Sequence, residues 1–219
     1  MKIIVLTILT IFLSMSAALG QDRQKQRNLL VFVGEKIDVI YSPEEKKPVV
    51  RNDSGFVIEA SISLDYRYIA RYKILQMVHG THKTDTIEFT VFDHYGEPAF
   101  SRHQTVLLFV SYHEGKLYHE KYQYFDLYMT QTGQWASPYA SGDYNHTYKK
   151  NITVKPEKIP FTDEVSFPIG EMTERAIEIW FPQPFYEIKN GRAIAIYGNY
   201  VADLFKLKQQ TILKARGIY

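Results

Sequence analysis

Alternation of apolar and polar positions dominates the first part of the chain. Ile87, Phe89 and Val91 alternate with Glu88 and Thr90, the pattern of a strand with one buried and one wet face. The same period over residues 66 to 78 puts Tyr68, Ala70, Tyr72 and Ile74 on one face and Arg71 and Lys73 on the other, before a turn at His79-Gly80. Upstream, Leu29-Leu30-Val31-Phe32-Val33 reads as a buried strand that bends at Gly34 and continues through Ile37 to Tyr41. Residues 105 to 112 are apolar on both faces, which predicts a central strand. Glu114-Gly115 turns the chain into a long strand over 116 to 129, and Thr132-Gly133 turns it again towards Trp135.

Between and after these strands the pattern changes. Residues 42 to 56 carry prolines, paired charges and Asn52-Asp53-Ser54-Gly55, and residues 136 to 151 are rich in Ser, Pro, Gly, Asp and Asn; both segments are predicted loops. Met172, Ala176, Ile179 and Trp180 sit at helical spacing, in a helix that must stop before Pro182. Asn190-Gly191 between two apolar runs predicts a tight hairpin. Val201, Leu204, Phe205 and Ile212 predict a last amphipathic helix, with Lys206, Lys208 and Lys214 towards solvent. The expected class is a β-rich α+β fold: an antiparallel barrel or strongly curved sheet within 21–135, a loop over 136–151, and a helix, hairpin and helix over 152–219 packed on the same core. An eight-stranded open sandwich is the alternative.

Composition adds a compartment. Lys2, the apolar run from Ile3 to Leu13 and the small-residue site Ala18-Leu19-Gly20 have the form of a cleaved signal peptide over 1–20, which predicts a mature start at Gln21 and a periplasmic or secreted protein with no membrane span after cleavage; a retained transmembrane anchor over Ile3 to Leu19 is the rival reading, disfavoured because that run is slightly short for a span. There is no cysteine, which removes disulfides, thiolate zinc sites and thiol nucleophiles, and in an exported chain points to a bacterial envelope. The formal charge of +2 offers no basic groove, so no nucleic-acid partner is expected.

Val31-Phe32-Val33-Gly34 with Ile37, Tyr72-Lys73-Ile74-Leu75 before His79-Gly80, the run from Asp85 to Val91, and the run from Val106 to Val110 together resemble the netrin-like or tissue-inhibitor modules, a variety of OB-fold barrel. The resemblance implies a barrel opened by a bent, glycine-containing strand. It does not carry over protease inhibition, because the cysteines and the N-terminal chelating segment of those inhibitors are absent. The whole chain is similar to small exported proteins of Gram-negative bacteria that carry no assigned activity.

Candidate chemistry is sparse. The seven histidines, His79, His82, His94, His103, His113, His119 and His146, match no metal-ligand spacing, and no HExxH, Gly-x-Ser-x-Gly or phosphate-cradling glycine loop occurs, so no metal or other cofactor is expected. Asp93-His94-Tyr95-Gly96 ends a strand; neighbours on a strand face opposite ways, so this Asp is not expected to hold this His, and a turn accounts for the tetrapeptide. The distinctive feature is tyrosine, 17 in all. Tyr118, Tyr122, Tyr124 and Tyr128 share parity, with Glu120 and Asp126, so a regular strand would set all six on one face, with Trp135 nearby. Such a face is either a cross-strand packing ladder or a stacking platform for a sugar ring or a partner's apolar side chain. The favoured function is an exported non-catalytic binding protein recognising a glycan or protein of the envelope. The alternatives are a hydrolase of an envelope polymer using Asp93, His94, Glu120 or Asp126, and a structural envelope component.

Overall fold

The computed structural model describes residues 28–43, 50–51, 54, 57–59 and 64–219; the leader and most of the 42–56 segment lie outside the described residues. The described chain forms two compact units.

The first unit, Leu30–Asp126, is the barrel. Its strands are β1 (Leu29–Tyr41), β2 (Tyr66–His79), β3 (Thr86–Asp93), β4 (Thr105–His113) and β5 (Lys116–Asp126). They close in the order β1-β2-β3-β5-β4. Four of the expected strands thus occur with their expected inward faces, and the barrel is mixed rather than wholly antiparallel. The β4–β5 hairpin folds back so that β5 runs parallel to β3, meeting it at Thr90 and Tyr118.

The interior is aromatic. Phe32, Tyr72, Phe89 and Phe100 are at most 2% exposed. Tyr72 stacks on Phe89 at 5.9 Å, and Phe100, from the short 3-10 turn Ala99–Arg102, meets the edge of Tyr72 at 6.0 Å. Gly34 makes this packing possible. A Cβ there would come within 2.9 Å of the Phe32 ring and 3.0 Å of the Tyr72 ring, and the β1–β2 register shifts beside it, so the expected bend is where the two rings fit. Val106 to Val110 on β4 are all fully buried, as a strand apolar on both faces requires. On the wet side Arg71 of β2 grips Asp38 of β1 through both carboxylate oxygens, which holds the Asp38 pKa below its ordinary 3.8.

The second unit contains Leu127–Tyr219. The boundary expected at 136–151 therefore moves to Asp126–Leu127, and the C-terminal residues gather a core of their own around Ala136, Phe161, Ile169, Tyr186 and Ala193. One sheet joins β6 (Tyr128–Met129), β7 (Trp135–Pro138), β8 (Glu157–Lys158) and β12 (Tyr197–Tyr200); another joins β9 (Ser166–Pro168), β10 (Tyr186–Lys189) and β11 (Arg192–Ala195). The β10–β11 hairpin turns at Asn190 and Gly191, both at positive φ (52° and 70°), as Asn-Gly predicts.

Helix α1 (Glu174–Trp180) starts later than the spacing suggests, capped by the Thr173 hydroxyl, and presents Ile177 to the core while Ile179 and Trp180 are about half exposed. Helix α2 (Val201–Gln210) is followed by the short α3 (Ile212–Ala215). Lys208 does not face solvent as expected. It lies one turn beyond Leu204, on the apolar side, where its side chain is 6% exposed and its ammonium donates to Asp143 at 2.5 Å. A methylene stem can enter a core if its charge finds an acid there.

Two expectations test this packing. Gly34→Ala forces two buried rings apart and should lower the barrel's stability by about 1 to 3 kcal/mol in urea denaturation. Asp143→Ala removes the acid beside a buried ammonium and should cost about 3 to 5 kcal/mol, whereas Lys206→Ala, at an exposed helix position, should change little.

Candidate functional site

Strand β5 decides where the chemistry-bearing side chains go, because its pairing with β4 is interrupted. Val110 lies opposite His119, and Leu108 lies opposite Tyr124, so one residue on β4 faces four on β5. Residues 120–123 form this bulge. Its base is closed by the His119 ring, whose Nε2–H donates to the Gln123 carbonyl at 2.9 Å. A carbonyl only accepts, so Nε2 carries the proton. His119 is itself buried against Phe100 at 4.7 Å and Phe89 at 6.2 Å.

The bulge inverts the face of every residue beyond it. Directly opposed residues of an antiparallel pair share a face. Tyr118, opposite Ser111, therefore points outward, and Tyr124, opposite the core residue Leu108, points inward. The single tyrosine face expected from parity does not form. Tyr124 packs on Phe100 at 6.1 Å, and burial raises its pKa. Asp126 pairs opposite Val106, two residues past Tyr124 and beyond the bulge. Tyr128 and Trp135 belong to the second unit, where Tyr128 meets the edge of Phe161 and Trp135 pairs with Met129.

What the fold does bring together lies on the outside of the barrel, along β3 and the β5 bulge. Tyr118 stacks on Phe92 at 6.2 Å and 14°, with His113 at its edge. Glu120 accepts a hydrogen bond from the Ser111 hydroxyl at 2.5 Å. Lys121 donates to Asp65 at 2.6 Å, which raises its pKa above the ordinary 10.5, and its ammonium lies 5.4 Å from the centre of the Tyr122 ring. Asp65 also approaches His94: Nδ1 is 3.6 Å from the carboxylate and 3.0 Å from the Leu64 carbonyl. Tyr95, 85% exposed, sets its ring against both His94 (5.5 Å) and Tyr122 (5.9 Å). Asp93 takes the expected turn role, accepting from the Tyr95 amide at 2.8 Å.

Two features of the bulge are costly. Tyr122 adopts φ +66°, a left-handed conformation that bulky side chains rarely take, and the buried Gln123 Oε1 has no hydrogen-bond partner. Strain of this kind, held in place beside exposed rings, marks the bulge as the candidate site. Sequence reasoning placed Tyr118, Glu120 and Tyr122 here. It missed Asp65, Lys121, Phe92 and the pairing of His94 with Asp65, which join β2, β3 and β5 across long stretches of chain. Among the described residues no group of three His, Cys, Asp or Glu is placed to hold a metal ion. Nor is any helix among them long and apolar enough to cross a membrane.

Stability separates Tyr124 from Tyr122. Tyr124→Ala removes a ring from the barrel interior and should cost about 3 kcal/mol. Tyr122→Gly, which relieves the positive φ, should leave stability unchanged or raise it by up to about 1 kcal/mol in the same denaturation assay. No protein-family description, curated protein or solved structure matches this chain.

Proposed function

We propose that the chain is an exported, non-catalytic binding protein that captures a glycan of the bacterial envelope on the outer surface of its barrel. The observation that supports this reading most is the strained bulge, which projects Tyr122 beside the exposed Tyr95 and next to an Asp65–Lys121–His94 polar cluster. Aromatic faces take the C–H face of a sugar, and flanking carboxylate, ammonium and imidazole groups take its hydroxyls. The ammonium of Lys121 here is held by the Asp65 carboxylate. Export rests on the residue 1–20 pattern, and a native protein with its N-terminus at Gln21, read by mass spectrometry, is the expected result.

One observation favours the hydrolase reading. The Nδ1 anchorage of His94 on the Leu64 carbonyl, beside Asp65, leaves Nε2 free to accept a proton, the arrangement of an oriented general base. A glycan array followed by calorimetry separates the readings. Capture of an envelope glycan without its cleavage, weakened about tenfold by Tyr95→Ala and by Tyr122→Ala with the fold intact, is the expected outcome. Turnover of the captured glycan that disappears in His94→Ala would replace binding by hydrolysis.

A further inference from the structure

We infer that one mouth of the barrel, where β1 ends and β2 begins, is a cage for a small quaternary ammonium compound of the choline kind, a site separate from the Tyr95–Tyr122 pair and independent of the glycan reading. Strand register brings its groups together. Tyr41 of β1 lies directly opposite Tyr68 of β2, and Tyr66, two residues before Tyr68, lies directly opposite Asp93 of β3. Opposed residues share a face, as do residues two apart, so all four take the face that is buried further along the strands at Ala70 and Val91. Tyr68 is 9% exposed, and beyond it the same face runs out into water, with Tyr41 53% and Tyr66 49% exposed. The rings converge on Tyr41, whose centre is 5.5 Å from that of Tyr68 and 6.2 Å from that of Tyr66, at tilts of 60° and 58°.

The chemistry of this mouth selects the ligand. Aromatic faces are electronegative, and a cation within about 6 Å of a ring centre is drawn to them. The spacing of these rings lets one cation lie within that reach of Tyr41 and a second ring at once. Carboxylates reinforce the attraction. Burial raises the Tyr68 pKa most, and the negative fields of Glu97 and Asp93 add to it. Both acids are engaged within the protein: Asp93 Oδ1 accepts from the Tyr95 amide at 2.8 Å, and Glu97 Oε1 from the Ser101 hydroxyl at 2.7 Å. They therefore attract through their field, which suits a cation that has no hydrogen to donate. In a quaternary ammonium the charge is spread over methyl groups that also pack on the rings. Arg67, between Tyr66 and Tyr68, takes the other face of β2, where its guanidinium donates to the Ser42 hydroxyl and carbonyl.

Isothermal titration of the full chain with choline, with its neutral carbon isostere 3,3-dimethylbutan-1-ol, and with ethanolamine tests this. The expected result is that choline binds about tenfold more tightly than the neutral isostere, and more tightly than ethanolamine. Tyr41→Ala and Tyr66→Ala, at exposed positions, should each weaken choline about fivefold, and Glu97→Gln about threefold, while Tyr41→Phe keeps the ring and the affinity. Circular dichroism of each variant tells loss of the cage from loss of the fold. Equal binding of the neutral isostere would overturn recognition of charge, and tighter binding of ethanolamine would overturn the quaternary class. Choline affinity that falls in Tyr95→Ala but not in Tyr41→Ala would move the cation to the bulge and overturn the cage, as would absence of choline binding to the folded protein. Glycan capture is read on its own array, so none of these results decides it.

Discussion

The hydrogen bond from the buried His119 to the Gln123 carbonyl is the contact on which the outer surface of the barrel depends. It ties off residues 120–123 so that β5 resumes its pairing with β4 after the bulge, and it does so from inside the core, with the imidazole wedged against Phe100. One side of that closure is packing: Tyr124 returns to the interior. The other side is display: Lys121 and Tyr122 are held clear of the sheet, within reach of Asp65 and Tyr95. A single internal side chain thus sets both what the barrel buries and what it shows.

Much of the fold was legible because period-two alternation reports directly on burial. Tyr68, Ala70 and Tyr72, and Ile87, Phe89 and Val91, all face the core as their spacing required. Gly34 and Asn190-Gly191 were readable for a different reason, since each position has a local steric demand that few residues meet. The site was harder to read. Tyr118, Glu120 and Tyr122 were singled out, but parity assumes an unbroken strand, and nothing in the run from Lys116 to Asp126 announces four residues opposite one. Asp65 and His94 are separated by 29 positions and meet only because β2 begins where β3 ends. Lys208 was misplaced because helical spacing shows which side a residue takes, and only the fold shows that Asp143 waits there.

The two units solve their polar problems differently. In the second unit a charge carried into the core is met by an acid, and Asn199, fully buried, is satisfied by the Tyr144 hydroxyl on one side and the Lys155 carbonyl on the other. In the barrel, by contrast, the Tyr72 hydroxyl and Gln123 Oε1 are buried without partners, and desolvation drives the Tyr72 pKa well upward. Each such group costs about 1 to 3 kcal/mol of desolvation. The unit that presents Tyr95 and Tyr122 is the one that tolerates these costs, in keeping with a surface shaped for something other than stability.

Regular pairing on both sides of residues 120–123 also makes the barrel a scaffold. The Val110–His119 and Leu108–Tyr124 rungs fence the bulge, so extra residues placed between Lys121 and Tyr122 would lengthen an outward loop without shifting either rung or the core behind it. Insertions are absorbed cheaply where the chain already departs from the ladder and faces water. That position is therefore the natural graft point for a foreign peptide epitope, and the place where descendants of this sequence could acquire new recognition by changing the length of one strand.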